Sequence, residues 1–148
     1  MLCFDFFKLQ AKADKMIRKQ TRIQVRYAET DQMGFVYYGN YATYFEIGRV
    51  AALKEVGISY RSLEEQGYLL PVKDLQVNYH KAALYDDELD IITEVRSLPS
   101  NRITFHYLIK RGEELLVDGE TTLFFMDSQM KPCRPPEFFV DQMRTFFS

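Results

Sequence analysis

The chain has 148 residues, of which 47% are hydrophobic and 15% aromatic, and its formal net charge is −2. A domain of this size buries about 68–70% of the surface that its unfolded chain exposes, so we expect one globular domain with a sizeable core. The sequence has no dense block of Lys and Arg interleaved with aromatic residues, and no apolar stretch as long as a membrane span. These features argue against a nucleic-acid-binding protein and against a membrane span.

The residues that most often hold metals are scarce. The two cysteines, Cys3 and Cys133, are far apart and in no metal-ligand or redox spacing, and the only histidines are His80 and His106. This count nearly rules out a His-rich zinc site. No cofactor motif is visible, so we expect chemistry that uses neither a metal nor a cofactor.

Residues 1–20 are predicted to be an extension that precedes a single domain at 21–148. The segment lacks a basic leader, a long apolar run and a cleavage pattern, so we expect a cytoplasmic protein. Met16 directly precedes the first strand pattern, and our hypothesis is that residues 1–15 are dispensable.

The first two predicted elements are a strand and a long helix. The segment TRIQVRYAE alternates, with Ile23, Val25 and Tyr27 on one face, which is typical of a half-buried strand. Over 40–56 the apolar period becomes helical. The helix is apolar around most of its circumference, which predicts that other structure wraps it. Its apolar face contains Tyr41, Tyr44, Phe45, Ile47, Gly48, Ala51, Ala52 and Val56.

Short polar signals predict where the helices begin and end. Asn40 is the expected N-cap of the long helix, and Gly57 suits the left-handed position after its end. A short second helix is expected to begin at Ser62, which is at capping-box spacing from Glu65, and to stop at Gly67.

The remaining chain is rich in strand patterns and ends in a helix. Four candidate strands lie in LLPVKDLQVNYH, DELDIITEVRS, RITFHYLIK and LLVDGETTLFFMD. A hairpin loop is predicted over 110–114, with Gly112 supplying the positive φ. A final short helix should have Pro135 or Pro136 in its first turn. Long strands joined by hairpins predict an α+β fold, in which one antiparallel sheet curls around one central helix.

Two segments together resemble a known family. RYAETDQMGFVYYGNYATYFEIGR, followed later by YHKAALYDDELDI, resembles the hotdog-fold thioesterases of the 4-hydroxybenzoyl-CoA thioesterase family, a group that includes acyl-CoA thioesterases linked to the Tol-Pal system. The resemblance covers roughly 21–135. Its most specific positions are Asp31, Gly34, Val36, Tyr37, Tyr38, Asn40 and Tyr41, supported by Tyr79, Tyr85, Asp86 and Asp87.

The resemblance implies a five-stranded antiparallel sheet wrapped around a long helix, and hydrolysis of an acyl-CoA thioester to the free acid and coenzyme A. Coenzyme A is then part of the substrate. The catalytic aspartate of the family falls on Asp31, and the oxyanion-hole amides fall on Tyr38 and Gly39. The implied substrate pocket includes Gly34, Val36, Tyr37, Asn40, Tyr41 and Glu46.

The chemistry implied for these positions is physically reasonable, since a helix start has unpaired N–H groups and about half a positive charge, which stabilise an oxygen anion. The same field should keep Asp31 ionised, whereas Glu29 would oppose this if the segment is extended. Whether Asp31 attacks the carbonyl or deprotonates a water is left open.

Each functional assignment has a structural alternative. Without the resemblance, Asp31 would most simply be a turn former. Glu46 is a second candidate base, but an i,i+3 ion pair with Arg49 is the simpler reading. The tyrosines Tyr37, Tyr38, Tyr41 and Tyr44 line a pocket or are plain core. The histidines have structural or surface roles, and Arg96 and Arg102 either meet the phosphates of coenzyme A or cover strand ends.

Two positions depart from the family pattern. Ala82 stands where many relatives have proline, and Tyr38 stands where the Tol-Pal-linked relatives have histidine. The second departure leaves the acyl group open.

The expected partner is an acyl-CoA or acyl-carrier-protein thioester, and the expected assembly is a homodimer or homotetramer formed through sheet edges. One alternative is a module that binds acyl-CoA or an acyl carrier protein without catalysis. The other is a hydratase or dehydratase on the same fold, which is less favoured because no histidine lies between Thr21 and Tyr79.

Overall fold

The computed structural model describes residues 15–147, in which five antiparallel strands form one sheet and a long helix packs on it. The strands are β1 (Ile17–Gln24), β2 (Val72–Tyr79), β3 (Glu88–Val95), β4 (Arg102–Arg111) and β5 (Glu114–Phe124). The helices are α1 (Asn40–Glu55), α2 (Tyr60–Glu65) and α3 (Glu137–Arg144). Across the sheet the strand order is β1-β3-β4-β5-β2.

The three central strands follow one another along the chain. β3 pairs with β4 and β4 pairs with β5, each time antiparallel, and a tight loop at Gly112 joins β4 to β5. β1 joins the outer side of β3, with Ile17 opposite Val95, and β2 joins the outer side of β5. The predicted α+β class and the predicted antiparallel sheet around one helix are therefore confirmed.

Helix α1 is buried on the face that the apolar period predicts. Tyr44 and Phe45 are fully buried, and the ring of Phe45 stacks on Tyr107 of β4 with 4.2 Å between ring centroids and an interplanar angle of 5°. Ile47 is 37% exposed, so it lies at the border of the buried face. Burying an aromatic side chain of this size is worth about 1.5–3 kcal/mol, so this face is a main source of stability.

Gly48 allows α1 to approach the sheet closely. A Cβ built at Gly48 would overlap Thr93 Oγ1 and would lie 2.8 Å from Ile91 Cγ2, both on β3. The backbone of α1 therefore contacts side chains of β3 at this position, and no larger side chain fits without moving the helix or those side chains.

The end of α1 follows the prediction and its start does not. At the end, Gly57 has φ +81° and Ile58 N–H donates to the Leu53 carbonyl at 2.9 Å, which is a Schellman motif. At the start, the capping position is Gly39 and not Asn40. Asn40 is the first helical residue, and its side-chain N–H donates to the Glu29 carbonyl at 2.8 Å. Asn40 therefore connects the helix to the preceding turn rather than capping its own amides.

Other predicted boundaries also move. The cap of α2 is Ser59, whose Oγ accepts from Ser62 N–H at 3.0 Å, although the predicted stop at Gly67 is confirmed. Pro136 precedes α3 and is not in its first turn. In each case the sequence offers two nearby residues of the same type, Ser59 and Ser62 or Pro135 and Pro136, and local patterns do not distinguish between them.

The first strand is displaced toward the N-terminus from its predicted position. β1 begins at Ile17, before the predicted domain start at Thr21, and it ends at Gln24. Tyr27 belongs to a 3-10 turn and is 78% exposed, so its predicted place on a strand face is wrong. The hypothesis that residues 1–15 are dispensable falls almost wholly on residues 1–14, outside the described part. Within residues 15–147, no helix is long and apolar enough to cross a membrane.

We predict that Gly48→Ala destabilises the protein by about 1–3 kcal/mol, because the clash with β3 outweighs the gain of about 1 kcal/mol in helix propensity. Urea unfolding followed by circular dichroism measures this change. Thr43→Ala, at an exposed position of the same helix, is the control and should change stability by less than about 0.5 kcal/mol. Equal stability of Gly48→Ala and the wild type would contradict the close contact.

Candidate active site

The start of α1 is anchored by the backbone of Glu29. The Glu29 carbonyl accepts from Tyr37 N–H at 2.9 Å and from the Asn40 side chain at 2.8 Å. The carboxylate of Glu29 is buried and accepts from Arg26 N–H at 2.8 Å and from the Tyr44 hydroxyl at 3.2 Å. Burial and the charge of Glu29 raise the pKa of Tyr44. Glu29 therefore fixes the helix start from both its backbone and its side chain.

This arrangement differs from the expectation for Glu29. The segment is not extended, because residues Tyr27–Glu29 form a 3-10 turn. The Glu29 side chain is directed to Arg26 and Tyr44 and does not line the cavity that contains Asp31. The role of Glu29 is structural. Alternation along an extended strand could not predict this role, because the segment is a 3-10 turn.

Asp31 forms a tight turn with one of its two carboxylate oxygens. Oδ1 accepts from Met33 N–H at 2.9 Å and from Phe35 N–H at 3.1 Å. The backbone closes the same turn, since Asp31 N–H donates to the Phe35 carbonyl at 2.7 Å and Gly34 has φ +81°. Oδ2 has no hydrogen-bond or ion-pair partner within residues 15–147. One oxygen therefore holds the loop and the other is available for chemistry.

A second aspartate forms the same turn elsewhere in the protein. Asp127 Oδ1 accepts from Gln129 N–H at 2.9 Å and from Lys131 N–H at 3.0 Å, and its own N–H donates to the Lys131 carbonyl at 2.8 Å. Met130 takes the left-handed position, with φ 64°, that Gly34 takes in the first turn. The turn is thus not specific to the candidate site, and what distinguishes Asp31 is its position beside the start of α1.

The backbone amides before α1 are free to bind a ligand. Within the described part of the chain, the N–H groups of Tyr38 and Gly39 donate no hydrogen bond, whereas Tyr37 N–H and Asn40 N–H both have acceptors. The Tyr38 carbonyl accepts from the Tyr79 hydroxyl of β2 at 3.1 Å, which holds this peptide in place. Free amides at a helix start attract negative charge.

Asp31 and Tyr38 line one cavity of about 300 Å³. The remaining walls come from the Asp31 turn, the first turn of α1 and the end of β2 with the loop after it. They are Met33, Phe35, Val36, Tyr41, Tyr79, His80, Lys81 and Ala82. A cavity of this volume is at the lower end of the usual range for small-molecule sites.

Two tyrosines hold the cavity walls together. Tyr41 and Tyr79 contact edge to face with centroids 5.5 Å apart, and the Tyr41 hydroxyl accepts from Ala83 N–H at 3.3 Å. Burial raises the pKa of Tyr41, so its hydroxyl stays protonated. Tyr41 is therefore both a core residue and a wall of the cavity. From the sequence these two roles were considered as alternatives.

Other predicted pocket residues lie near this cavity without lining it. Gly34 supplies the left-handed turn residue, and Tyr37 is 48% exposed and packs on the ring of Tyr38. Asn40 binds the Glu29 carbonyl. These residues shape the loop and the helix start.

Glu46 lies apart from Asp31, in other cavities along α1. The expected Glu46–Arg49 ion pair is absent from the described residues. Arg49 is buried instead, and its Nε donates to the Tyr60 hydroxyl at 3.1 Å. The i,i+3 spacing suggests a surface pair, but the packing of α2 on α1 draws Arg49 inward.

Sequence reasoning missed His80 as a cavity residue. His80 Nε2 lies 2.5 Å from Asp118 Oδ2, and the Asn78 side chain donates to Asp118 Oδ1 at 2.8 Å. These contacts, with Asn78 the larger, lower the pKa of Asp118. A search for histidine between Thr21 and Tyr79 stops one residue short of it, and only the pairing of β2 with β5 places it here.

The described residues contain no group of three His, Cys, Asp or Glu side chains placed to hold a metal ion. Arg96 donates to Glu94 at 3.2 Å, and Arg102 lines a separate hollow with Lys73 and Arg134. Neither arginine lines the Asp31 cavity.

Comparison with known proteins identifies the family. Residues 25–143 match the model of the thioesterase-like superfamily, which is most of the chain. The chain belongs to this superfamily.

Individual relatives agree with this assignment. The acyl-CoA thioesterase YbgC of Haemophilus influenzae is 32% identical over 78% of this chain and 86% of its own. The acyl-CoA thioester hydrolase YbgC of Escherichia coli O6:H1 is 29% identical over 82% of this chain and 92% of its own. Among solved structures, a DHNA-CoA thioesterase from Staphylococcus aureus is 37% identical, with a TM-score of 0.81 over 87% of this chain and 88% of that one.

We predict that the turn at Asp31 needs an acceptor oxygen but no charge. Asp31→Asn keeps an Oδ1 acceptor and should leave stability nearly unchanged, whereas Asp31→Ala removes both side-chain hydrogen bonds and should cost about 0.5–1.5 kcal/mol. Urea unfolding of the two variants measures the difference. The two variants being equally stable would show that the turn does not depend on Oδ1.

Proposed function

We propose that the chain hydrolyses acyl-CoA thioesters in the cavity at Asp31, with Asp31 as nucleophile or general base and the amides of Tyr38 and Gly39 as the oxyanion hole. Thioester hydrolysis itself is supported by the superfamily match and by relatives named as acyl-CoA thioesterases. The chain is therefore a thioester hydrolase. The assignment of individual residues rests on the geometry of the site.

The observation that carries the proposal is that one cavity is lined both by Asp31, which has an unused carboxylate oxygen, and by Tyr38, which has an unused amide next to that of Gly39. Asp31 Oδ2 has no partner within residues 15–147, and neither do the N–H groups of Tyr38 and Gly39. Asp31 and Tyr38 both line the cavity. Attack on a thioester moves negative charge onto the carbonyl oxygen, and preset amides stabilise that charge without reorganising.

The preset geometry has identifiable causes. Glu29 and Asn40 anchor the first turn of α1, and the Tyr79 hydroxyl anchors the Tyr38 carbonyl. The α1 dipole contributes about half a positive charge at this end, which favours the developing oxyanion. Losing one oxyanion-hole donor typically costs about 10²–10³ in rate.

The two roles of Asp31 differ in whether its carboxylate forms a covalent bond to the acyl group. If Oδ2 attacks the thioester carbonyl, the thiolate leaves and an anhydride forms, which water then cleaves. If Asp31 deprotonates a water, that water attacks directly. A single turnover in heavy-oxygen water tests the first role, because label in the Asp31 carboxylate shows that an anhydride formed and that water cleaved it at the Asp31 carbon.

We predict that Asp31→Asn lowers kcat for acyl-CoA hydrolysis by about a hundredfold or more, because the amide is neither a base nor a carboxylate nucleophile. Release of free thiol from a panel of aliphatic and aromatic acyl-CoAs measures this.

Asp127→Asn is the matched control, because Asp127 forms the same turn away from the cavity. It should keep kcat within about twofold. Equal rates for Asp31→Asn and the wild type would overturn the assignment, and binding of acyl-CoA without thiol release by the wild type would favour the non-catalytic module.

The acyl group enters a site with four aromatic walls, Phe35, Tyr38, Tyr41 and Tyr79. The solved relative from Staphylococcus aureus is named for an aromatic acyl-CoA. We include an aromatic acyl group in the substrate class for these two reasons. An acyl-carrier-protein thioester as substrate, contacts of Arg96 and Arg102 with phosphates, and the cytoplasmic location all stay predictions.

We also propose a homodimer that forms through β2. The outer edge of β2 has no strand beside it among the described residues, and Val72, Leu75 and Tyr79 are 43%, 47% and 51% exposed. The opposite edge, β1, carries Arg18, Lys19 and Arg22, and basic side chains discourage edge pairing. Because Tyr79 ends β2 and lines the Asp31 cavity, the dimer would place the site at its interface.

Light scattering on a sizing column at micromolar concentration should therefore give the mass of a dimer, or of a tetramer built from dimers. Leu75→Lys places a charge on the β2 edge and should shift the mass toward the monomer. Gln20→Lys, on the exposed β1 edge, should leave it unchanged. A monomeric wild type, or equal effects of the two variants, would contradict the proposed interface.

A further inference from the structure

Arg49 is a buried charge without an acidic partner. It is 9% exposed, and no carboxylate lies within ion-pair distance of it in residues 15–147. Its Nε donates to the Tyr60 hydroxyl at 3.1 Å, and the Tyr107 hydroxyl is also adjacent. Burial raises the pKa of Tyr60, and it raises the pKa of Tyr107 to about 12. Both hydroxyls are therefore neutral at pH 7 and do not offset the charge.

A guanidinium stays charged at every ordinary pH, and burying it unpaired costs several kcal/mol. Of the five N–H donors of Arg49, Nε–H donates to the Tyr60 hydroxyl and the Tyr107 hydroxyl can accept one more, so at least three have no acceptor within the described part. Among residues 15–147, the enclosed side-chain polar atoms that lack a hydrogen-bond partner are Thr21 Oγ1 and Thr93 Oγ1, and the terminal nitrogens of Arg49 are not enclosed in this way. They are therefore open to the space that Arg49 lines.

That space is a cavity of about 600 Å³ between α1, α2 and the segments at 69–71 and 126–130. It shares no lining residue with the Asp31 cavity. Its walls are mostly apolar, namely Val50, Tyr60, Leu69, Leu70, Pro71, Met126 and Met130. The other charged residues that line it are two acids and two bases, namely Glu46, Lys54, Arg61 and Glu64. Their formal charges cancel, so Arg49 leaves the cavity with a net positive charge.

We propose that the Arg49 cavity binds an aliphatic monocarboxylate, with the carboxylate on the terminal nitrogens of Arg49 and the hydrocarbon chain against the apolar walls. Arginine suits this ligand because its planar nitrogens match two carboxylate oxygens. A free acid of this class is what hydrolysis of an aliphatic acyl-CoA releases. That the ligand is the product of this enzyme rests on the proposed function. If that function holds, the Arg49 cavity is a second site at which the product binds.

Calorimetry with octanoate and 1-octanol tests the site without any substitution. Octanoate should bind about tenfold or more tightly than 1-octanol, because only the carboxylate pairs with the guanidinium. Equal affinities would overturn the proposal, since they would mean that the apolar walls alone attract the chain. Absence of octanoate binding at millimolar concentration would also overturn it.

Two variants assign the binding to Arg49. Arg49→Gln should weaken octanoate binding by about tenfold or more, whereas Lys54→Gln removes an exposed charge from the same cavity and should change binding by less than about threefold. Circular dichroism confirms that each variant is folded. Equal effects of the two would overturn the assignment, and an unfolded Arg49→Gln would leave the comparison of octanoate with 1-octanol as the deciding test.

Asp31→Asn separates this proposal from the proposed function. The variant should bind octanoate as the wild type does, because Asp31 is in a different cavity. A loss of binding in Asp31→Asn would show that octanoate binds in the Asp31 cavity and would overturn the second site. If the wild type binds octanoate through Arg49 but releases no thiol from acyl-CoAs, the site stands and only its link to the product fails.

Discussion

The anchoring of the first turn of α1 is the constraint on which the candidate site depends. Tyr37 N–H and the Asn40 side chain both donate to the Glu29 carbonyl, while the Tyr38 and Gly39 amides between them are left without acceptors in the described chain. A capping side chain would accept from the N–H groups of the first helical turn. With Gly39 at the capping position there is no such side chain, and the helix start keeps its donors. In place of a cap, the hydrogen bonds of Glu29 to the Asn40 side chain and to the Tyr44 hydroxyl hold the helix start.

One residue can both form a turn and take part in catalysis, and Asp31 shows how. Its turn repeats at Asp127 with the same hydrogen bonds, so the turn alone explains the residue type at both positions. A carboxylate has two oxygens, and the turn uses one. The second oxygen acquires a function only where the turn lies against a helix start, as it does at Asp31. Fixing one oxygen by two amides also removes side-chain freedom that substrate binding would otherwise have to restrict.

The predictable parts of this structure are those in which one local pattern determines one outcome. The alternation in β4 gives the buried residues correctly, and the apolar face of α1 does so except at its border residues Ile47 and Ala51, because burial against a sheet follows backbone period. Cap residues were harder to predict. Asn40 and Ser62 were the expected caps, whereas the structure has Gly39 and Ser59 at these positions. His80 and Arg49 could not be placed at all, because their surroundings come from β5 and α2, far away in sequence. The resemblance pointed to Asp31 and Tyr38, which do line one cavity. It also placed Glu46 in that pocket, whereas the structure places Glu46 in other cavities further along α1.

Packing a helix on a sheet has a consequence for the polar groups on its buried face. The charged residues Glu46, Lys54 and Glu55 of α1 face water, but a charged group on the buried side needs partners within the protein. Glu29 at its start meets this condition by pairing with Arg26 and Tyr44. Arg49, two and a half turns along, has only neutral hydroxyls beside it and opens into a cavity instead. A guanidinium that faces such a cavity with no carboxylate beside it is a place where an anion from outside the chain can bind. The packing of α1 thus supplies both the free amides of the first cavity and the positive charge of the second.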